Sequence, residues 1–311
     1  MLPGLIDTHL HTMTGNPLVG PGGQGIGPNG AGPTGLLQPL QYHVISASVN
    51  AQRDLYAGFT TVVDLMSHGG WYGTVDLKNA INNGVVPGPR MQVAGPGIVS
   101  TNKATVPFPL LESEAGRVSN LGALIANGVE GVREAVREQA HYGVDWIKIT
   151  TTGGVNSRIG AGLGVQLFDD EVQALIDTAT MYGKKVAVHA HGNDGILIAL
   201  RHGAASVEHG TLMDQDSIAL FKKSGAYYVP TLSTINGYKE RLAANPEAYT
   251  GEVLKKIRWR IDITGKSLRA AHAAGVKIAF GTDAGVSKHG RNADEFELMV
   301  LHGMSDRKSV V

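Results

Sequence analysis

Two histidines close to the start of the chain have the type and spacing of a metal-binding pair. His9 and His11 are separated by one residue and follow the apolar segment Leu5–Thr8, whose composition is typical of a buried parallel strand. Side chains two residues apart on a strand point to the same side, so both imidazoles could bind one metal ion. A pair of this kind is weak evidence on its own, and the rest of the chain decides its meaning.

Eight short apolar segments alternate along the chain with amphipathic helical patterns. This alternation predicts an α/β protein with a parallel sheet, and eight strands predict a closed (β/α)8 barrel of the TIM type. Glycines such as Gly143 and Gly275 follow the helical patterns and are placed to end helices. The predicted helices include residues 131–142, 169–182, 195–202, 214–223 and 254–274. The predicted strands are Leu5–Thr8, Thr60–Asp64, Arg90–Gly95, Trp146–Thr150, Lys185–His189, Ser206–His209, Tyr227–Pro230 and Lys277–Gly281.

Ligand-type side chains are concentrated at the carboxyl ends of the predicted strands, where (β/α)8 barrels carry functional residues. Imidazole and carboxylate groups suit divalent Zn, Mn, Fe or Co ions. Burial near positive charge favours the neutral amine of a lysine, and a neutral amine can add carbon dioxide to give a metal-bridging carbamate. The lysine concerned is Lys148, and the alternative is that it is a barrel residue whose ammonium pairs with a carboxylate. The set comprises His9 and His11 on strand 1, Lys148 on strand 4, His189 and His191 on strand 5, His209 on strand 6 and Asp283 on strand 8.

Composition argues against several classes of function. The 27 basic and 27 acidic residues among 311 give a formal net charge of zero, and nucleic acids or anionic membranes require clustered positive charge. The absence of cysteine excludes disulfides, thiolate zinc sites and cysteine nucleophiles. No signal-peptide pattern and no apolar run of about 18 residues is present, so we expect a soluble, cytoplasmic protein. A segment upstream of Met1 would change that expectation.

Three common catalytic or nucleotide-binding motifs are missing or out of context. Gly20–Gly25 matches G-x-G-x-x-G, but glycines and prolines follow it, so no helix can begin there to bind a dinucleotide. We interpret residues 15–35 as a long loop after strand 1. The chain has no G-x-x-x-x-G-K-[ST] phosphate loop and no G-x-S-x-G nucleophile elbow.

The ordered set of motifs resembles the amidohydrolase superfamily. Within it, the chain is similar to the imidazolonepropionase-related branch, which includes metal-dependent Xaa-Pro/Xaa-Arg dipeptidases and ochratoxin-type amidases. The matching segments cover nearly the whole chain in family order. They are PGLIDTHLH, GFTTVVDL, DWIKITTTGGVNS, KKVAVHAHG, AASVEHGTLMD, YYVPTLS and IAFGTDAGVSKHGRNADEFELM.

This resemblance implies a binuclear centre with two divalent ions, which we expect to be zinc. It implies that His9, His11 and Asp283 hold one ion, that His189 and His209 hold the other, and that carbamylated Lys148 bridges them. A hydroxide between the ions would attack an amide carbonyl. Asp283 would accept the proton of the water and pass it to the leaving nitrogen.

His191 departs from the pattern of the dipeptidases, which commonly have tyrosine at this position to contact the substrate carbonyl. Histidine can also donate a hydrogen bond there, so we expect a catalytic and substrate-binding role for His191. Arg291 could pair with a substrate carboxylate, although a solvated loop arginine is an equal alternative. His68, His202 and His272 are interpreted as structural. The further expected substrate contacts are Tyr228, Gly153, Gly154 and His289.

The expected substrate is a small amide, either a dipeptide or an N-acyl amino acid. One alternative is a cyclic amide, as for imidazolonepropionase, and another is a catalytically inactive barrel fragment that binds metal. A homo-oligomer is compatible with the sequence. No nucleic-acid or membrane partner is expected.

The resemblance also implies residues before strand 1 and after the last helix, which form a small β-sandwich in relatives. We therefore expect a barrel truncated at both ends, with residues 1–305 as the hydrolase domain. Residues 306–311 fit neither the family nor a helix, and common sequencing-adapter DNA can encode them. We expect them to be a non-native tail.

Overall fold

Strands and helices alternate along the part of the chain that the computed structural model describes, residues 3–14, 40–68, 70–101, 123–156, 163–249 and 251–306. The predicted loop at 15–35, its G-x-G-x-x-G match, and residues 307–311 of the predicted tail lie outside these ranges. The strands are β1 Leu5–Leu10, β2 Phe59–Asp64, β3 Arg90–Val93, β4 Ile98–Val99, β5 Leu124–Ile125, β6 Trp146–Thr150, β7 Lys185–Ala190, β8 Ser206–His209 and β9 Tyr227–Val229. The helices are α1 Leu40–Tyr56, α2 Gly73–Asn82, α3 Gly128–His141, α4 Asp169–Met181, α5 Asn193–Arg201, α6 Gln215–Ser224, α7 Thr234–Ala244, α8 Gly251–Asp262, α9 Lys266–Ala273 and α10 Asp294–Leu301.

Parallel pairing arranges these strands as a (β/α)8 barrel, which confirms the predicted fold class. One ladder runs β1–β2–β3, and the other runs β5–β4–β6–β7–β8–β9. The Asp145 amide, which precedes β6, donates to the Val93 carbonyl at the end of β3 over 2.8 Å and joins the two ladders. Residues 277–284 occupy the eighth position between β9 and β1, because Tyr228 N donates to Lys277 O and Thr8 N donates to Phe280 O, each at 2.9 Å.

Two predicted elements differ in the structure. The segment predicted as strand 8 joins its neighbours through isolated bridges, since the His9 carbonyl accepts from both Thr282 N and Asp283 N and interrupts a regular ladder. The helix predicted at 254–274 is two helices, α8 and α9. They are separated because Gly265 has a φ of +79°, which is the left-handed region. A Cβ at Gly265 would also collide with the His302 imidazole.

The alternation of side chains along the strands separates the core from the site. On β6, Ile147 and Ile149 are fully buried in the main hydrophobic core, while Lys148 lies between them on the other face. A cavity of about 490 Å³ lies near the amino ends of β6 to β9 and is lined mainly by apolar groups such as Ala205 and Ala226. The ligand-type side chains lie at the opposite, carboxyl ends of the strands. No described helix has the length and apolar character needed to cross a membrane.

Candidate metal centre

Strand β1 and the segment after position eight bring His9, His11 and Asp283 together. The two Nε2 atoms of the histidines are 3.3 Å apart. Asp283 Oδ1 lies 3.0 Å from His11 Nε2 and 3.6 Å from His9 Nε2. All three side chains are buried. One nitrogen or oxygen of each therefore points to a common centre, as ligands of one ion must.

Strands β7 and β8 bring a second group together, consisting of His189, His191 and His209. Their ligand atoms all lie within 4.8 Å of one another. The ring of His209 stacks on that of His191 at 4.8 Å and lies 4.5 Å from that of His189. It also lies 5.3 Å from the ring of His9, so the two groups are adjacent. The structure thus places His191 beside the two histidines that were expected to hold the second ion.

Unusual backbone conformations aim two of these side chains into the barrel. His209 has a φ of +72° and Asp283 a φ of +55°, a region that non-glycine residues rarely adopt. Such strain persists only where the surrounding structure over-determines it, and it occurs most often at functional sites. At His209 the turn also breaks the strand alternation, so Glu208 and His209 both contact the site rather than opposite faces.

Lys148 lies near members of both groups and has an unusual environment. Its side chain is buried, and among the described residues nothing accepts a hydrogen bond from its Nζ atom. Burial lowers the pKa of Lys148, and the carboxylates of Glu208 and Asp283 oppose this effect. An unpartnered buried amine is costly, and we infer that another group normally completes its environment.

Hydrogen bonds to the far side of the rings fix the tautomers of two histidines. His9 Nδ1 lies 2.8 Å from Glu208 Oε2, so the carboxylate accepts the ring proton. The Thr231 hydroxyl donates to the Pro230 carbonyl at 2.8 Å and therefore accepts from His209 Nδ1 at 2.7 Å. Both arrangements leave the Nε2 lone pair free to face the centre. Outer partners of this kind are typical of metal-binding histidines.

The residues present fit a metal ion. For zinc–nitrogen bonds of about 2.0–2.1 Å, tetrahedral ligand atoms lie about 3.3 Å apart, which matches the separation of the His9 and His11 nitrogens. Burial, followed by the nearby Lys148 amine, lowers the pKa of His9 to about 3. Burial likewise places the pKa of His11 and of His209 well below the usual range. Neutral imidazoles are the form that binds metal.

The glycines and the tyrosine that were expected to contact the substrate form hydrogen bonds within the protein. Gly153 N donates to Gly164 O at 3.0 Å, and Gly154 O accepts from Lys256 Nζ at 2.9 Å. Tyr228 is buried among core side chains of α6, and its hydroxyl donates to the His209 carbonyl at 3.1 Å. In this structure Tyr228 therefore supports the strained backbone of His209.

The two residues expected at the last loop lie in different surroundings. The buried His289 ring bonds Asp54 Oδ2 at 2.9 Å and donates to the His11 carbonyl at 3.1 Å, so it supports the backbone of a candidate ligand. Its protonation is favoured, because the Asp54 carboxylate and hydrogen bonds raise the pKa of His289 against the effect of burial. Arg291 is half-exposed and forms ion pairs of 2.7 Å with Glu240 and Asp294.

Sequence reasoning missed three neighbours of the centre. His68, interpreted as structural, lies with its ring 4.3 Å from that of His11. It follows β2, so a search of all strand ends would have found it. Glu208 and Thr231 have no comparable signal, because their roles depend on contacts with distant histidines.

Replacing Glu208 by Gln is expected to weaken zinc binding by about 10- to 100-fold, the usual effect of losing an outer-shell partner. The neutral amide holds the Nδ1 proton of His9 less strongly than the carboxylate does. Competition with a chromophoric chelator measures this affinity. Glu171→Gln is the matched control, since Glu171 is a buried carboxylate that accepts backbone N–H groups of Gly128 and Phe168 instead. Equal affinities for the two variants would contradict the role of Glu208.

Known proteins are similar to this chain over nearly its whole length. The model of the amidohydrolase family matches residues 1–308. Ochratoxinase from Aspergillus niger is 30% identical over 318 residues, an alignment that covers 97% of this chain and 61% of that protein. The chain therefore spans about three fifths of the length of this curated relative.

Solved structures resemble the chain over nearly all of its length. A Xaa-Pro dipeptidase with bound methionine in its active site has a TM-score of 0.82 at 34% identity, covering 99% of this chain and 72% of that one. A prolidase in complex with N-methylphosphonate-L-proline has a TM-score of 0.80 at 29% identity, covering 97% and 70%. The A. niger ochratoxinase structure has a TM-score of 0.81 at 27% identity, covering 99% and 69%.

Proposed function

This chain belongs to the amidohydrolase family, and from that premise we propose that it hydrolyses the amide bond of a dipeptide or an N-acyl amino acid with two divalent metal ions. The observation that carries the proposal is the meeting of two three-residue ligand groups at one end of the barrel. The dipeptidase and the prolidase among the similar structures support a dipeptide as substrate.

His9, His11 and Asp283 would hold one ion, and His189 and His209 would hold the other. The nitrogen and oxygen donors suit zinc. Lys148 would bridge the ions as a carbamate, formed when its neutral amine adds carbon dioxide at the Nζ atom and releases one proton. When bound, the ions would polarise the amide carbonyl and lower the pKa of water to about 7.

Asp283 would move the proton of the reaction. Its carboxylate would accept a proton from the attacking water and donate it to the leaving nitrogen, acting first as general base and then as general acid. Burial raises the pKa of Asp283, while His9 and Lys148 act in the opposite direction. A carboxylate with a raised pKa is a stronger base than a solvent-exposed aspartate.

His191 would bind the carbonyl oxygen of the substrate. The Thr211 hydroxyl would donate to His191 Nδ1 over 2.8 Å, which places the ring proton on Nε2, and the His191 backbone N donates to Thr152 Oγ1 at 2.9 Å. These contacts fix the ring, and Nε2 can then donate to the oxygen on which negative charge develops.

A panel of amides tests this function. Release of amine is measured for Xaa-Pro and Xaa-Arg dipeptides, N-acyl amino acids and cyclic amides. Each assay uses untreated protein, chelator-treated protein, and protein restored with zinc and bicarbonate. We expect hydrolysis of linear amides that is lost on chelation and regained with zinc. Turnover of cyclic amides alone, or no amine release by folded protein that holds two zinc ions, would overturn the proposal.

A further inference from the structure

The segment after barrel position seven extends across the carboxyl end of the barrel as a roof, formed by α7 and α8. The Asn156 amide donates to the Tyr238 hydroxyl at 3.3 Å, and Lys256 Nζ donates to the Gly154 carbonyl at 2.9 Å. These bonds join position seven to the loop after β6 at position four, over the positions that carry the second histidine group. The apolar contacts of the roof involve Val155, Tyr238, Ala248, Tyr249, Val253, Ile257 and Val286.

Arg241 on α7 is a cation of this roof. Its Nη1 atom donates to the Val286 carbonyl at 2.8 Å, and its Nε atom donates to the Tyr249 hydroxyl. Its guanidinium lies 5.5 Å from the ring of Tyr238 and 5.9 Å from that of Tyr249. Its Nη2 atom is buried and has no hydrogen-bond partner among the described residues, and none of their carboxylates forms an ion pair with it.

Arg241 is linked through Val286 to the loop that carries Asp283. Val286 N donates to the Asp283 carbonyl at 3.0 Å, so Arg241 is held one turn away from Asp283. The next residue supplies a second donor, since the Ser287 hydroxyl is also buried without a partner among the described residues. A buried, uncompensated guanidinium N–H is expensive, and a carboxylate is its strongest acceptor.

The arginine of the loop after barrel position eight is already neutralised. Arg291 pairs with Glu240 and Asp294, and Glu240 also pairs with Lys288 at 2.5 Å. A substrate carboxylate would have to displace these partners at a half-exposed position. Arg241 presents its Nη2 donor without that competition.

We propose that Arg241 and Ser287 bind the carboxylate on the amine side of the substrate. This inference rests on the proposed function and assigns the residues that would recognise the carboxylate that dipeptides and N-acyl amino acids share. The Nη2 atom is closed to solvent, so the carboxylate enters as α7 shifts and then holds the roof against the loop that carries Asp283. Closure over a small substrate also excludes longer peptides.

The test compares Ala-Pro with its C-terminal amide, Ala-Pro-NH2, which lacks the charge. For the unaltered protein we expect kcat/KM to favour the acid by about 10- to 100-fold, the effect of charge-assisted hydrogen bonds. Arg241→Gln should lose that preference through a higher KM for the acid, so that kcat/KM falls by a larger factor for the acid than for the amide. Arg201→Gln is the matched control, because Arg201 is exposed on α5.

Two more variants keep the test decisive. Ser287→Ala deletes only a hydroxyl and should lower the preference for the acid by about threefold to tenfold even if Arg241→Gln does not fold. Arg291→Gln should retain the preference.

Equal losses on acid and amide in Arg241→Gln, no effect of Ser287→Ala, or loss of preference in Arg291→Gln alone would overturn the inference. Efficient hydrolysis without preference for the acid would overturn it and leave the proposed function standing. If zinc-loaded protein hydrolyses neither compound, the same comparison is made with the linear amide that the panel identifies and its C-terminal amide. No hydrolysis of any linear amide of the panel would overturn both.

Discussion

Replacing Asp283 by Asn is expected to lower kcat by about 100- to 10,000-fold, the range for loss of a positioned general base and acid. The amide is nearly the same size as the carboxylate, so the packing around residue 283 is kept. Asn cannot accept the proton of the attacking water at neutral pH, nor deliver it to the leaving nitrogen. The rate of amine release at saturating substrate measures the loss, and elemental analysis of the same sample shows whether both ions are retained.

Asp177→Asn is the control for this change, since Asp177 is an exposed aspartate on α4. Its kcat should remain within about twofold of the unaltered protein, as expected for surface substitutions. An Asp283→Asn variant that holds two ions and keeps full activity would contradict the assigned proton transfer. Another group would then have to accept the proton of the attacking water.

Replacing Lys148 by Ala is expected to lower bound zinc from about two ions to less than one per chain, because the bridging ligand is lost. The Nζ atom is buried, lies near both ligand groups and has no hydrogen-bond partner among the described residues. Lys185→Ala is the matched control on the neighbouring strand, where the lysine is exposed and lies over the Trp146 ring. That variant should keep the zinc content of the unaltered protein.

The barrel and the positions of the two ligand groups could be predicted because both depend on local patterns. Apolar segments of strand length and glycine-ended helices recur along the chain, and the carboxyl ends of parallel strands lie on one side of a barrel. His9 and His11 follow directly from the side-chain period of two. Asp283 follows from its place after the eighth segment.

Features that depend on backbone strain or distant contacts could not be predicted. Glu208 contacts His9 because the left-handed backbone at His209 breaks the strand alternation. Whether Arg241 or Arg291 is available to a substrate carboxylate depends on which arginine pairs with Glu240 and Asp294. The sequence alone does not reveal that pairing.

The prediction of one long helix at 254–274 was wrong for a similar reason. Its amphipathic pattern continues through Gly265, and nothing in that pattern indicates a left-handed residue. The close approach of His302 leaves no room for a side chain there, so the two helices meet at a glycine. The break follows α8, which is one of the two helices of the roof.

The metal content per chain tests the central claim most directly. Elemental analysis is carried out on monodisperse protein, Lys148→Ala and Lys185→Ala, each prepared with excess zinc and bicarbonate and then freed of unbound metal. The account predicts about two zinc ions in the unaltered protein and in Lys185→Ala, and fewer than one in Lys148→Ala. Fewer than one ion in unaltered protein with a folded circular-dichroism spectrum, or two ions in Lys148→Ala, would contradict the bridged binuclear centre.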